Sequence, residues 1–179
     1  MTDYKNTMLI SPDTVKSQSD LNYNTDDTAI GASIRVAQNI YLRDIIGGAL
    51  LERLQVLVYN AIEGNPDNID EEANIAYKTL LDDYIEDFLT YKVTSEIATR
   101  LSLKIRNMGV IKNSDTNISP ATLEDLNYLY QTSETYVNDA ANRMTDFICK
   151  NAAAYPENIF NCGCNDGPLY ANTGLWLGK

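Results

Sequence analysis

The sequence predicts a mainly all-α protein: a four-helix-type bundle with a long C-terminal helix, one short β-hairpin and an extended C-terminal arm. Three observations carry this reading. Apolar residues recur at steps of three and four over most of the 179 residues. The spacing turns alternating in one stretch only, about residues 102–112. Beyond Pro156 no period survives and glycines accumulate. The chain accordingly divides into an N-terminal lead-in (1–25), a helical domain (26–156) and an arm (157–179).

Each element has local grounds. Met8 to Ile10 is a short apolar run, and Ser11-Pro12-Asp13 has the N-cap and first-turn chemistry of a brief helix. After a polar stretch from Ser17 to Asn24, Thr25-Asp26-Asp27 can cap the first long helix, roughly 26–46. Ile30, Ile34, Ala37, Tyr41 and Ile45 are expected on its core face. Gly47-Gly48 ends that helix, since glycine adopts the left-handed turn without penalty. The next helix carries the stripe Leu50, Leu54, Leu57, Val58 and Ala61, and Gly64-Asn65-Pro66 stops it. Residues 65–71 read as loop.

The third helix, roughly 72–101, has the broadest apolar band, with Ile75, Leu80, Leu81, Tyr84, Ile85, Phe88, Leu89, Val93, Ile97 and Leu101, and is expected to be the most buried. Leu103 and Ile105 then alternate with Lys104 and Arg106, Met108-Gly109 suits a turn, and Val110-Ile111 returns. Ser119-Pro120 starts the last helix, with Ile118 and Leu123 placed as a hydrophobic staple. Leu123, Leu126, Tyr130, Val137, Ala140, Met144 and Phe147 keep a near-heptad spacing to about Asn151. Pro156 closes it.

Composition narrows the function. Fourteen Lys and Arg against 25 Asp and Glu give a formal charge of -11 and a pI near 4.3. That balance argues against a groove that grips a phosphate backbone. No apolar run reaches the length of a bilayer span, and Met1-Thr2-Asp3 opens without a signal peptide's basic and apolar pattern, so a cytosolic, membrane-free chain is expected. Histidine is absent, which removes Ser-His-Asp and Cys-His nucleophiles and imidazole metal sites. No phosphate loop, dinucleotide-binding turn or nucleophile elbow occurs.

Asp20, Asn22, Asn24 and Asp26 alternate like the start of a calcium loop, but the required glycine is Thr25 and the closing Glu is Gly31. The acidic string Asp67, Asp70, Glu71 and Glu72 reads as a loop and helix start. Cys149, Cys162 and Cys164 are an odd set, too few for a four-ligand zinc site, and free thiols are expected. No enzyme activity, catalytic residue, cofactor or metal is predicted.

Two features bear on binding. Arg100, Lys104, Arg106 and Lys112 form the one basic stretch without an interleaved acid: either a solvated face or a plug for an acidic surface. The chain also holds 12 Tyr against 3 Phe, which fits either an interface or a tyrosine-rich core. At the end of the arm, Leu175, Trp176 and Leu177 are an apolar tip that some surface, on the same subunit or a neighbour, must receive.

Three blocks carry a family resemblance: Ala37-Gln38-Asn39-Ile40-Tyr41-Leu42-Arg43-Asp44-Ile45-Ile46-Gly47 with Leu50 and Leu54 beyond it, Leu103-Lys104-Ile105-Arg106-Asn107-Met108-Gly109-Val110, and the helix start from Ser119 to Leu129. In these the chain resembles the head-to-tail connector, or adaptor ring, proteins of tailed bacteriophages, especially those of Bacteroidetes phages, prophages and crAss-like phages. The resemblance implies a ring of subunits, commonly twelvefold, located in the virion neck and assembled in the host cytoplasm. It implies the portal protein and the next tail or ring protein as partners, with DNA passing the lumen without sequence-specific binding. The interface expected on that basis includes Arg100, Lys104, Arg106, Lys112, Leu175, Trp176 and Leu177. A different class, a small cytosolic helical protein-binding module without a virion role, is the alternative.

Overall fold

The computed structural model describes residues 4–19, 21, 23–106, 109–112 and 123–158 and is mostly helical. Its first helix, α1 (Pro12–Ser17), starts where the Ser11 Oγ accepts the Thr14 N–H at 3.0 Å. Ahead of it Leu9 and Ile10 are buried. The lead-in is therefore part of the core. Asp26 caps α2 (Asp27–Val36) by accepting the Thr28 N–H at 3.0 Å.

From Val36 the helix widens into a π-helical segment, Ala37–Leu42, and tightens again as α3 (Arg43–Ile46). A π turn accommodates an extra residue, so the inward face advances by one position. Ile30, Ile34 and Ala37 are buried as expected, but the next buried positions are Leu42 and Ile46. Tyr41 is 37% exposed and Ile45 only partly buried. The regular spacing that put Tyr41 and Ile45 in the core is corrected by this one-residue shift.

The π segment has a specific partner. Gln38 is buried, and its amide serves the lead-in as a second backbone would: its Oε1 accepts the Leu9 N–H at 3.0 Å and its Nε2 donates to the Thr7 carbonyl at 2.9 Å. Gln55 Nε2 donates to the Lys5 carbonyl at 3.2 Å, and the Tyr4 hydroxyl donates to Glu52. Three side chains thus hold residues 4–9 against the helices.

Gly47, at φ 84°, turns the chain into α4 (Gly48–Glu63), which buries Leu50, Leu51, Leu54 and Leu57. Gly64, left-handed at φ 68°, ends α4 with its N–H on the last carbonyls. A 3₁₀ turn (Glu72–Asn74) leads into α5 (Ile75–Leu80), a second π segment (Leu81–Ile85) and α6 (Glu86–Ser102). Leu80, Ile85, Phe88, Leu89, Val93 and Ile97 are almost completely buried. Ile75, expected in this band, is 59% exposed because it is the first residue of α5, outside the packed region that Tyr77 opens.

Strands β1 (Leu103–Arg106) and β2 (Gly109–Lys112) pair antiparallel, with Leu103 opposite Lys112 and Ile105 opposite Val110. The last helix, α7 (Leu123–Lys150), packs along α6 and buries Val137, Ala140, Ala141, Met144 and Ile148. Its expected apolar face is corrected at Tyr130, which is 51% exposed. Among the residues of α7 whose burial is described, the first buried one is Val137, whereas Tyr128, Tyr130 and Tyr136 are exposed.

At the far end Phe147 stacks on Tyr84 with ring centroids 4.2 Å apart, and the buried Tyr155 donates its hydroxyl to the Ala76 carbonyl at 2.8 Å. Burial pushes the Tyr155 phenol up to about 12. Cys149 is disulfide-bonded, which corrects the expectation of free thiols for that residue. The other two cysteines, Cys162 and Cys164, lie outside the described residues. So do Ser119-Pro120 with Ile118, Asp20, Asn22 and the whole arm from residue 159, including its tip.

Candidate functional site

The basic positions singled out in the sequence are placed by their backbone. Arg100 lies near the end of α6, Lys104 and Arg106 on β1, and Lys112 on β2. In an antiparallel pair, directly opposed residues share a face and neighbours along a strand alternate. Lys104 opposes Ile111 and Arg106 opposes Gly109, so these four occupy one face. Lys112 shares the other face with Leu103, Ile105 and Val110. The register therefore unites Lys104 with Arg106 and separates Lys112 from them. Leu175, Trp176 and Leu177 lie outside the described residues.

The densest polar cluster falls in a stretch that reads from sequence as loop. Asp67, at a positive φ of 55°, takes both ends of the Arg53 guanidinium at 2.9 and 3.1 Å. Asn74, 3% exposed, donates to the same carboxylate at 3.0 Å and to the Asn68 carbonyl at 2.8 Å. The Asp67 N–H goes to Glu71 and its carbonyl accepts from Asn60, each at 3.0 Å. Every polar atom of Asp67 has a partner. The Arg53 and Asn74 hydrogen bonds hold its carboxyl below the usual carboxylate range, and the Asp67 hydrogen bond chiefly raises Arg53.

Arg53 also lies over the Tyr77 ring, 5.6 Å from its centroid, and the Tyr77 hydroxyl donates to Glu157 at 2.8 Å. Burial first, then that hydrogen bond, raises the Tyr77 phenol. A carboxylate so fully paired and held ionised has no proton to give and little capacity to take one. The cluster is a clasp that closes the loop between α4 and α5. The acidic string gave its signal, Asp and Glu at 67 and 71, but the partners Arg53 and Asn74 come from other elements and cannot be read from spacing.

A second cluster joins three helices. Lys92 on α6 is 4% exposed; its Nζ lies 2.7 Å from Glu134 Oε1 on α7 and 4.1 Å from the centroid of the Tyr41 ring on the π segment. The Tyr41 hydroxyl donates to Glu96 at 3.2 Å. Such an ammonium is satisfied by an ion pair and a ring face. Around it the surface is aromatic and apolar: Ile40 is 53% exposed, Tyr41 faces outward, and Tyr130 lies near Tyr41. The shift of register at the π segment is what brings Tyr41 to this surface.

A hollow of about 450 Å³ between the end of α1, α6 and α7 is lined by hydroxyls, among them Thr94, Ser133 and the paired rings of Tyr91 and Tyr136. Among the described residues its lining has no carboxylate or cation. Among the described residues no group of three or more His, Cys, Asp or Glu could hold a metal ion. Among the same residues no helix is long and apolar enough to cross a membrane.

The fold and these clusters define a mainly helical protein whose polar networks tie elements together. By its sequence the chain belongs to a family of unknown function, DUF6712, whose model matches residues 42–168. No curated protein and no solved structure matches it.

Proposed function

We propose that this chain is a structural subunit of a head-to-tail connector ring of a tailed bacteriophage, docking on the portal and extending the DNA channel toward the tail. The observation that carries the reading is the resemblance in the three blocks, the first of which spans the π segment and α3 up to the Gly47 turn. In this reading the body is a four-helix-type bundle, and the basic hairpin and the arm are its docking elements. No step of chemistry is assigned to it.

The surface supports an assembling role. Tyr23, Tyr41, Tyr128, Tyr130 and Tyr136 are exposed, together with Ile40, Ile62 and Ile75. Large side chains with a polar tip, left in solvent by a monomer, are what a subunit interface uses. The charge of -11 per subunit suits a channel wall that repels rather than grips a polyanion. Heterologous contacts that close by rotation give rings.

Electron microscopy of the full chain mixed with its cognate portal protein tests the reading. Rings stacked coaxially on the portal are expected. A chain that stays monomeric in sedimentation, with and without portal, refutes it.

A further inference from the structure

The lead-in and the C-terminal half of α4 enclose a groove of about 450 Å³. It runs between Asn6–Pro12 on one side and Tyr59 and Ile62 on the other, and among the described residues none that lines it is charged. In a chain of net charge -11 that neutrality is a local property. Leu9 and Ile10 form the floor and are buried, Met8, Pro12 and Tyr59 are half-buried walls, and Ile62 stands 69% exposed at the rim. The floor is held in place from behind by Gln38, whose amide grips Thr7 and Leu9. The groove is thus preformed, apolar and open.

We infer that this groove receives the tip Leu175-Trp176-Leu177 of a second copy of the chain. The inference rests on the ring reading, in which neighbouring copies present the groove to one another. What points to this occupant is the match between the two surfaces and the length of chain available. The tip is apolar, uncharged and bounded by Gly174 and Gly178, and it contains the only tryptophan of the sequence. Tryptophan is the residue most enriched among energetic anchors, and uncharged pockets flanked by a polar rim are where such anchors dock.

The last described residue is Asn158, eighteen positions before Trp176. At roughly 3.3 Å per residue that length reaches about 60 Å, beyond the roughly 40 Å breadth of a compact domain of this size. An adjacent copy is within range. The contact is heterologous, groove of one copy to tip of the next, which is the kind that propagates around a closed ring.

The single tryptophan makes the test direct. Emission and acrylamide quenching of the full-length protein report on Trp176 alone, and sedimentation of the same samples reports on assembly. The expected result is a blue-shifted, quench-protected tryptophan in the assembled protein, with red shift and a several-fold rise in quenching on dilution to monomer. Ile62→Glu should produce the same exposed signal at all concentrations. Ile62→Leu should keep the protection, and Asn142→Glu, on an exposed residue outside the groove, should leave it unchanged.

Circular dichroism verifies that each variant is folded. Assembly with a solvent-exposed Trp176, or protection that survives Ile62→Glu, overturns the groove while leaving the ring reading intact. Protection that persists in a monomer overturns docking on a second copy and points to the chain's own groove. Absence of assembly with an exposed tryptophan overturns both.

Discussion

Replacing Gln38 should loosen the lead-in by an amount that the structure lets one work out. Gln38 is 1% exposed, and its two amide atoms are paired with backbone groups of Thr7 and Leu9, themselves buried. Gln38→Ala leaves one N–H and one C=O without partners, each costing about 1–3 kcal/mol when buried, so a loss of about 2–6 kcal/mol in urea unfolding is expected before any cavity term. Local opening of residues 4–10 should precede global unfolding and appear as faster amide exchange at Leu9.

Gln38→Glu should make the same contact depend on pH. Protonated, the new side chain can reproduce both bonds; ionised, it still accepts from Leu9 but confronts the Thr7 carbonyl oxygen with a second acceptor. The folded-state pKa of the introduced carboxyl should therefore rise above its unfolded value, and the native state then binds more protons than the unfolded one. The stability deficit relative to wild type should be full above the folded pKa and shrink as pH falls through it toward the unfolded pKa. Comparing urea midpoints of variant and wild type across that range reads the effect. A Gln38→Ala loss below about 1 kcal/mol, or a Gln38→Glu deficit that ignores pH, would show that the lead-in is not held by this amide.

Other perturbations test other parts. Phe88→Ala, at a side chain 1% exposed in α6, should cost about 3–5 kcal/mol by calorimetry or urea melts, and a loss under 1 kcal/mol would place α6 nearer the surface than described. Asp67 has a lowered pKa, so the clasp contributes stability above the unfolded value that is lost as pH falls through the folded one. Because its side chain is 57% exposed, Asp67→Asn should cost no more than about 1 kcal/mol at neutral pH and flatten part of the acid limb of the stability curve; an unchanged acid limb would contradict it. Lys104→Glu with Arg106→Glu, two residues that share one face of the hairpin, should leave the melting midpoint unchanged and weaken ring or portal association, and unaltered association would return this face to a merely solvated one.

How far the sequence carried the structure depends on whether a contact is local. The caps at Ser11 and Asp26, the stop at Gly64 and the core stripe of α4 rest on neighbours within a few residues, and they are where spacing and turn chemistry put them. The first long helix shows the limit. Ile30, Ile34 and Ala37 follow the α period, and the same period then picks Tyr41 and Ile45 where Leu42 and Ile46 are buried. Nothing in Ala37–Leu42 announces a π turn; packing of the widened segment on other elements selects it.

Gln38 and Lys92 stand out in the sequence neither as core nor as site, since a buried polar side chain is intelligible only from its partners, Thr7 and Leu9 for one and Glu134 and Tyr41 for the other. Tyr130 misleads in the opposite sense: its spacing is right for the stripe, but its side chain is half exposed beside Tyr41. Of the expected interface, the strand register sorts Lys104 and Arg106 from Lys112, a distinction that a run of cations in one dimension does not contain.

The Asp67 clasp bears on where the polypeptide can be cut or extended. Gly64-Asn65-Pro66-Asp67-Asn68 has the small, polar composition of the loop tips that proteases nick and that tolerate inserted tags. Yet opening it means releasing Arg53, Asn60, Glu71 and Asn74 from one residue. Limited digestion should spare this loop in the native protein, and a tag placed beside Asp67 would cost the join between α4 and α5. A label for imaging belongs elsewhere on the molecule, at an exposed site that no network holds.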